Sequence, residues 1–149
     1  MEKIFENFTI SVLKLNRLVQ RIKQYEMREY KLKSVHVMCV YYLNEHRDGL
    51  TASELMRLTY EDKAAISRAL RQLLDNGYVK YDVKKYNSVI TLTEDGLKIA
   101  DYITAKADKA VKAGSADFSE EERVYFYKSL AQITENLKNY YKELSDDND

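Results

Sequence analysis

One stretch, Thr51 to Thr93, leaves this chain few ways to fold. It reads TASELMRLTYEDKAAISRALRQLLDNGYVKYDVKKYNSVITLT. Thr51-Ala52-Ser53-Glu54 is a capping box: the Thr51 hydroxyl can accept from the Glu54 amide, and the Glu54 carboxylate can reach back. The helix that follows is short, Ala52 to about Leu58, with Leu55 and Leu58 inward. Thr59-Tyr60-Glu61-Asp62 offers a second cap. The next helix spans about Glu61 to Asn76, with Ile66, Leu70, Leu73 and Leu74 inward and Lys63, Ala64, Ser67, Arg68 and Arg71 on the other side. Gly77 stops it. Val79, Tyr81 and Val83 then alternate with Lys80 and Asp82, and Val89-Ile90-Thr91-Leu92 is a second strand candidate. Lys84-Lys85-Tyr86-Asn87-Ser88 between them suits a hairpin tip. The order is helix, turn, helix, hairpin.

Long helices are expected on both sides, because the 149 residues hold no proline and only four glycines. Ile4, Phe8, Val12, Leu15, Val19 and Ile22 repeat every three or four positions and predict a helix over about 3–28. A second, about Lys33 to Glu45, carries Val37, Met38, Val40, Tyr41 and Leu43 on two sides, which predicts burial on most faces; Gly49 follows as its stop. Thr93 caps a helix over about 94–113, striped by Leu97, Ala100, Ile103, Ala107 and Val111. Ser119-Glu120-Glu121-Glu122 is a third capping box and opens a last helix with Phe126, Leu130, Ile133, Leu137, Tyr140 and Leu144, close to a heptad seam. The expected fold is mainly α with a small β-hairpin wing. It forms one domain over 1–149, with a central lobe at about 33–93, flanking helices at about 3–28 and 94–144, and a disordered tail at 145–149.

The formal net charge of zero hides a partition. Residues 14–33 hold seven basic side chains against two acidic, and residues 57–88 hold seven against four. Residues 117–149 hold four against nine. A neutral chain can therefore still offer a basic face to phosphates. The charges within MEKIFENFTI argue against a signal peptide. No window approaches the roughly 18 apolar residues of a membrane span. A cytoplasmic protein without membrane contact is expected.

The second helix of the central stretch has a small, polar and basic outer face, which suits a DNA major groove. Arg68 and Arg71 could bond guanine bidentately or hold phosphate. Ser67 could bond bases or phosphate. Ala64 and Ala65 are small enough to let the helix sit deep or touch a thymine methyl. Lys63, Lys84 and Lys85 would neutralise phosphates, and Thr51 and Ser53 could offer hydroxyls and amides to the DNA backbone. For each, an ordinary exposed helix residue is the alternative. The apolar stripes of the flanking helices exceed what one small lobe can cover. A second copy of the chain is the cheapest partner, and a twofold dimer would present two such helices to a palindromic site; helices folding back on each other within one chain are the alternative.

Other chemistry finds little footing. Cys39, mid-helix among Val37, Met38, Val40 and Tyr41, reads as a buried, inert thiol, and a thiol-sensing role would rest on it alone. His36 and His46 lack a neighbouring Cys or second His, so no metal site is expected. No Ser-His-Asp arrangement, phosphate loop or glycine-rich nucleotide fingerprint occurs, so neither enzyme activity nor a cofactor is expected.

Taken together, Leu50-Thr51-Ala52-Ser53-Glu54-Leu55, Asp62 through Leu70 (DKAAISRAL), Leu74-Asp75-Asn76-Gly77-Tyr78-Val79 and Leu92-Thr93-Glu94-Asp95-Gly96 resemble the MarR family over nearly the whole chain. The resemblance implies a dimeric winged helix-turn-helix regulator that represses or activates promoters, often relieved by a small ligand. It also implies that Tyr25, Tyr30, Tyr41, Tyr42 and Tyr102 lie on helices lining a cleft, where a small aromatic or amphipathic effector could bind; ordinary packing is the bland alternative. Family wings usually carry an Asp-x-Arg turn. Here the turn is shorter and reads Lys84-Lys85-Tyr86-Asn87, so wing contacts are expected to position rather than to read sequence. The peroxide-sensing branch places its cysteine near the start of the first helix, where this chain has none. Two functional readings stay open: a regulator of double-stranded DNA, and a winged dimerisation or protein-interaction module that never touches DNA.

Overall fold

The computed structural model describes residues 2–146. Its elements, in order, are α1 (Glu2–Glu26), a single 3-10 turn (Arg28–Tyr30), α2 (Ser34–Glu45), α3 (Ala52–Thr59), α4 (Lys63–Asp75), β1 (Val79–Lys80), β2 (Thr91–Leu92), α5 (Glu94–Gly114) and α6 (Glu120–Asp146). The chain divides into two compact units, Met1–Ala107 and Asp108–Asp149. The second holds the last turns of α5, the buried Ser115 and α6. The helix α6 takes in Ser145 and Asp146, which the sequence reading had assigned to the tail; residues 147–149 lie outside the described residues.

The helices begin where the capping chemistry places them. At α3 the Glu54 amide donates to the Thr51 hydroxyl (3.3 Å), while the Thr51 amide donates back to the Glu54 carboxylate (2.8 Å). At α4 the Asp62 carboxylate accepts from the Ala65 amide at 2.7 Å. At α5 the Gly96 amide donates to the Thr93 hydroxyl. At α6 Ser119 and Glu122 close a second reciprocal pair. Each such cap satisfies helix-end donors that have no intrahelical partner, and is worth about 1 kcal/mol.

One core joins α2, α3, α4 and the wing. Val37, Cys39, Val40 and Leu43 of α2, Leu55 of α3, and Ile66, Ala69, Leu70 and Leu73 of α4 are buried together with Leu50, Val79, Ile90, Ile99, Ala100 and Ile103. Met27 and Leu32 tie the end of α1 into it. Burial of α2 on most of its faces agrees with the sequence, although Tyr41 stays 39% exposed. His36 is buried at the start of α2, where its Nδ1 accepts from the Lys33 amide (2.8 Å). Burial, with Lys33 nearby, lowers its pKa and favours the neutral ring.

The wing is smaller than its sequence pattern predicts. Its ladder consists of Val79 opposite Leu92 and Lys80 opposite Thr91. A single bridge adds Leu50 opposite Ile90, so the residue before the α3 cap pairs with the returning limb. Tyr81, Val83 and Val89 stand outside the strands. The reason lies in Asp82. Its Oδ1 accepts from the Lys84 amide (2.9 Å), and its carbonyl accepts from the Ser88 hydroxyl (2.9 Å). These local bonds curl the chain into turns before the ladder can extend, and Val83 is left 60% exposed.

Two glycines hold the junctions. Gly77 has φ +76 and leaves open space where a side chain would be, so its role is conformational. Gly96 is different: a Cβ there would run into the Tyr78 carbonyl group. The start of α5 therefore lies directly against the residue that leads into β1. Thr93 strengthens the junction, its amide donating to the Tyr78 carbonyl (3.0 Å) and its hydroxyl to the Gly77 carbonyl.

Gly96→Ala should destabilise the chain by about 1–3 kcal/mol through overpacking. Gly77→Ala should cost about 1 kcal/mol from backbone strain alone. Denaturant titration of both variants would show the order, and equal stability of wild type and Gly96→Ala would exclude the close approach. Cys39 yields a second expectation. Burial pushes its thiol up to about 12, so almost no thiolate exists near pH 8. A thiol reagent should leave the native chain unmodified at that pH and react at once after denaturation. Fast native labelling would overturn the buried, inert assignment.

Candidate nucleic-acid interface

The helix α4 divides its residues cleanly. Ile66, Ala69, Leu70 and Leu73 point into the core, while Lys63, Ala64, Ser67, Arg68 and Arg71 are exposed. Positions 64, 67, 68 and 71 recur at helical spacing and form one outward face. Ala65 is half-buried, so it lies at the edge of that face rather than on it. The arrangement follows from the apolar period of KAAISRALRQLLD; packing four residues inward leaves the small and basic ones outside.

The exposed face differs in how free its groups are. Arg71 forms an exposed ion pair with Asp75, Nε to Oδ1 3.5 Å. An exposed i,i+4 pair of this kind is worth about 0.3–0.5 kcal/mol, so a phosphate can displace it. Asp62, beside Lys63, is bound to the Ala65 amide, which holds its carboxylate in the cap. The turn between α3 and α4 passes through Tyr60, an exposed residue with φ +58.

Thr51 and Ser53 do not present free donors. The amide and hydroxyl of Thr51 both go to the Glu54 carboxylate, at 2.8 and 3.0 Å. Those bonds hold the Glu54 carboxyl below the usual carboxylate range. The amide and hydroxyl of Ser53 both go to Oδ1 of Asn87 in the wing, at 3.3 and 3.1 Å. The sequence reading missed Asn87. Its one local signal is the residue type, since asparagine is favoured where a turn needs positive φ, and Asn87 has φ +49. Lys84 and Lys85 are exposed at the same tip.

Gln72 was missed as well. From the flank of α4 its Nε2 donates to the Lys31 carbonyl (3.2 Å). Lys31 has φ +54, so its carbonyl is turned toward α4 by an unusual backbone conformation. The helix α4 is thereby tied to the segment that joins α1 and α2.

Of the five tyrosines, Tyr30, Tyr42 and Tyr102 pack against the one core. Tyr30 and Tyr102 meet edge to face at 5.1 Å between centroids, and Tyr41 and Tyr42 do so at 5.4 Å. Tyr25 lies under the Arg28 guanidinium, 4.0 Å from its centroid. The Tyr102 hydroxyl donates to the Glu26 carbonyl (3.3 Å), and Lys106 pairs with the Glu26 carboxylate at 2.7 Å. The carboxylate raises the Lys106 pKa. These bonds fasten the end of α1 to α5. A shallow hollow of about 440 Å³ lies on α6, along Glu120, Glu121, Val124, Tyr125 and Lys128.

Comparison with known proteins agrees with this architecture. Residues 41–83 match the IclR helix-turn-helix domain model, which takes in α3, α4 and the first half of the wing. A curated relative from Bacillus subtilis, the uncharacterized HTH-type transcriptional regulator YdgJ, is 30% identical over 97 residues. That stretch is 63% of this chain and spans only 59% of YdgJ. Among solved structures, a MarR protein from Peptoclostridium difficile superposes with a TM-score of 0.82 at 23% identity, covering 93% of this chain and 92% of that one. A putative MarR family transcriptional regulator from Listeria monocytogenes, complexed with 26mer DNA, superposes with a TM-score of 0.79 at 21% identity, covering 88% and 89%. The chain therefore has the winged helix-turn-helix fold of the MarR-family transcriptional regulators.

Proposed function

We propose that the chain is a sequence-specific DNA-binding transcription regulator that acts as a homodimer on a palindromic operator. The observation that carries this reading is the outward face of α4: Lys63, Ala64, Ser67, Arg68 and Arg71 exposed on a helix whose other side is locked in the core. A rigid helix with small residues between basic ones can approach base edges without steric conflict. Lys84 and Lys85 at the wing tip add charge for the phosphate backbone. The relatives with the same fold include one solved with DNA.

The dimer is supported by apolar surface. Along α1, Ile4, Phe8, Val12, Leu15, Val19 and Ile22 are all exposed. On α6, Phe126, Ile133, Leu137, Tyr140 and Leu144 are exposed too. Regular stripes of this length on charged helices are what a second copy would cover. Repression is the simplest output of a dimer seated on a promoter. Relief by a small aromatic or amphipathic ligand is supported by the two edge-to-face tyrosine pairs, Tyr30 with Tyr102 and Tyr41 with Tyr42. No helix among the described residues is long and apolar enough to cross a membrane.

Anisotropy with duplex from upstream of the protein's own gene, against random competitor and across a salt series, tests the reading. Specific, competitor-resistant binding is expected. Arg68→Ala should weaken it by about 1–3 kcal/mol, or roughly 5- to 150-fold, if Arg68 reads a base. Wild-type binding no tighter to any genomic fragment than to random duplex would favour the protein-interaction module instead. Sedimentation supplies a separate check. The wild type should run as a dimer, and Leu15→Glu combined with Val19→Glu should give monomers with much weaker DNA binding. A monomeric wild type would sink the dimer.

A further inference from the structure

The two-pair ladder of the wing ends at Lys80 and Thr91, and the bridge at Ile90 is the last tie on the returning limb. Residues 81–89 therefore project beyond the regular pairing. Within them the tip is closed on itself through Asp82, which accepts from the Lys84 amide, the Lys85 amide and the Ser88 hydroxyl. Asn87 makes the remaining connection. Its Oδ1 accepts both the amide and the hydroxyl of Ser53, across 34 residues of sequence. Ser53 lies in the first turn of α3, one residue beyond the start of a helix packed directly on α4.

We propose that Asn87 is a positioning residue for DNA engagement: its bonds to Ser53 clamp the wing tip to the first turn of α3. The clamp holds Lys84 and Lys85 in fixed register with the outward face of α4. A lysine on an untethered hairpin must lose its freedom on binding, whereas one on a clamped tip has lost it already. The two ammonium groups and the recognition face then meet the duplex as one preset surface. This inference rests on the DNA-binding reading above. Asn87 itself need touch no nucleotide.

Asn87→Gly tests it, because glycine keeps the positive φ while deleting the side chain that supplies the acceptor. In the free protein, hydrogen exchange at the Ser53 amide should quicken in Asn87→Gly and return toward wild type in Asn87→Asp, which restores an acceptor oxygen. On DNA, the wild-type slope of log K against log salt counts phosphates at about 0.9 each. Lys84→Ala with Lys85→Ala should flatten it by about 1.8 in the wild-type background. Asn87→Gly should instead weaken binding by about 3- to 10-fold at every salt concentration with the slope near wild type, because the lost ordering is not ionic, and it should weaken binding little further once Lys84 and Lys85 are alanine. Unchanged Ser53 exchange in Asn87→Gly would overturn the clamp. So would wild-type DNA affinity in Asn87→Gly, with the regulator reading left standing. A wild-type chain that binds no duplex at all overturns both readings together.

Discussion

Everything functional here depends on how Ile66, Ala69, Leu70 and Leu73 are buried. These four residues fix the rotation of α4 about its own axis, because α2 and α3 both pack on that side. Removing a buried leucine or isoleucine of this kind typically costs about 2–5 kcal/mol. A turn of the helix by one residue would put Ser67 or Arg68 into an apolar core, where an unpaired polar group is heavily penalised. The outward face is thus defined by exclusion: its residues are outside because four others must be inside.

Around that helix the structure adds ties that are individually modest and differ in kind. Asp62 fixes its start by a cap, Gln72 fixes its flank through the Lys31 carbonyl, and Gly77 ends it. Asn87 reaches the neighbouring helix from the wing. None is a strong interaction, yet together they constrain position and orientation. The proposed contact with DNA would need that constraint more than bulk stability.

Helices and caps were legible in the sequence because their determinants are local. Thr51 with Glu54 and Ser119 with Glu122 are three residues apart, and the bonds they predict are those found. The inward face of α4 was legible for the same reason, since a 3.6-residue period is written in the chain itself. The strands were overread. Alternation at Val79, Tyr81 and Val83 is a valid β pattern, but the side chain and carbonyl of Asp82 compete with the ladder for the same backbone. The occupation of the Ser53 donors by Asn87 could not be read at all, because it depends on where a distant hairpin lands. The pairing of Tyr30 with Tyr102 could not be read either, because the two residues are far apart in the chain and meet only through the fold.

The contact at Gly96 has a mechanical meaning. A missing side chain leaves the first turn of α5 seated on the Tyr78 backbone, and Thr93 pins the same spot from two sides. A joint made of backbone against backbone has no rotamer to absorb a displacement. A shift of α5 at this end is therefore passed undamped to the C-terminal end of α4 and the root of the wing. The first turn of α5 is thus coupled directly to the root of the wing.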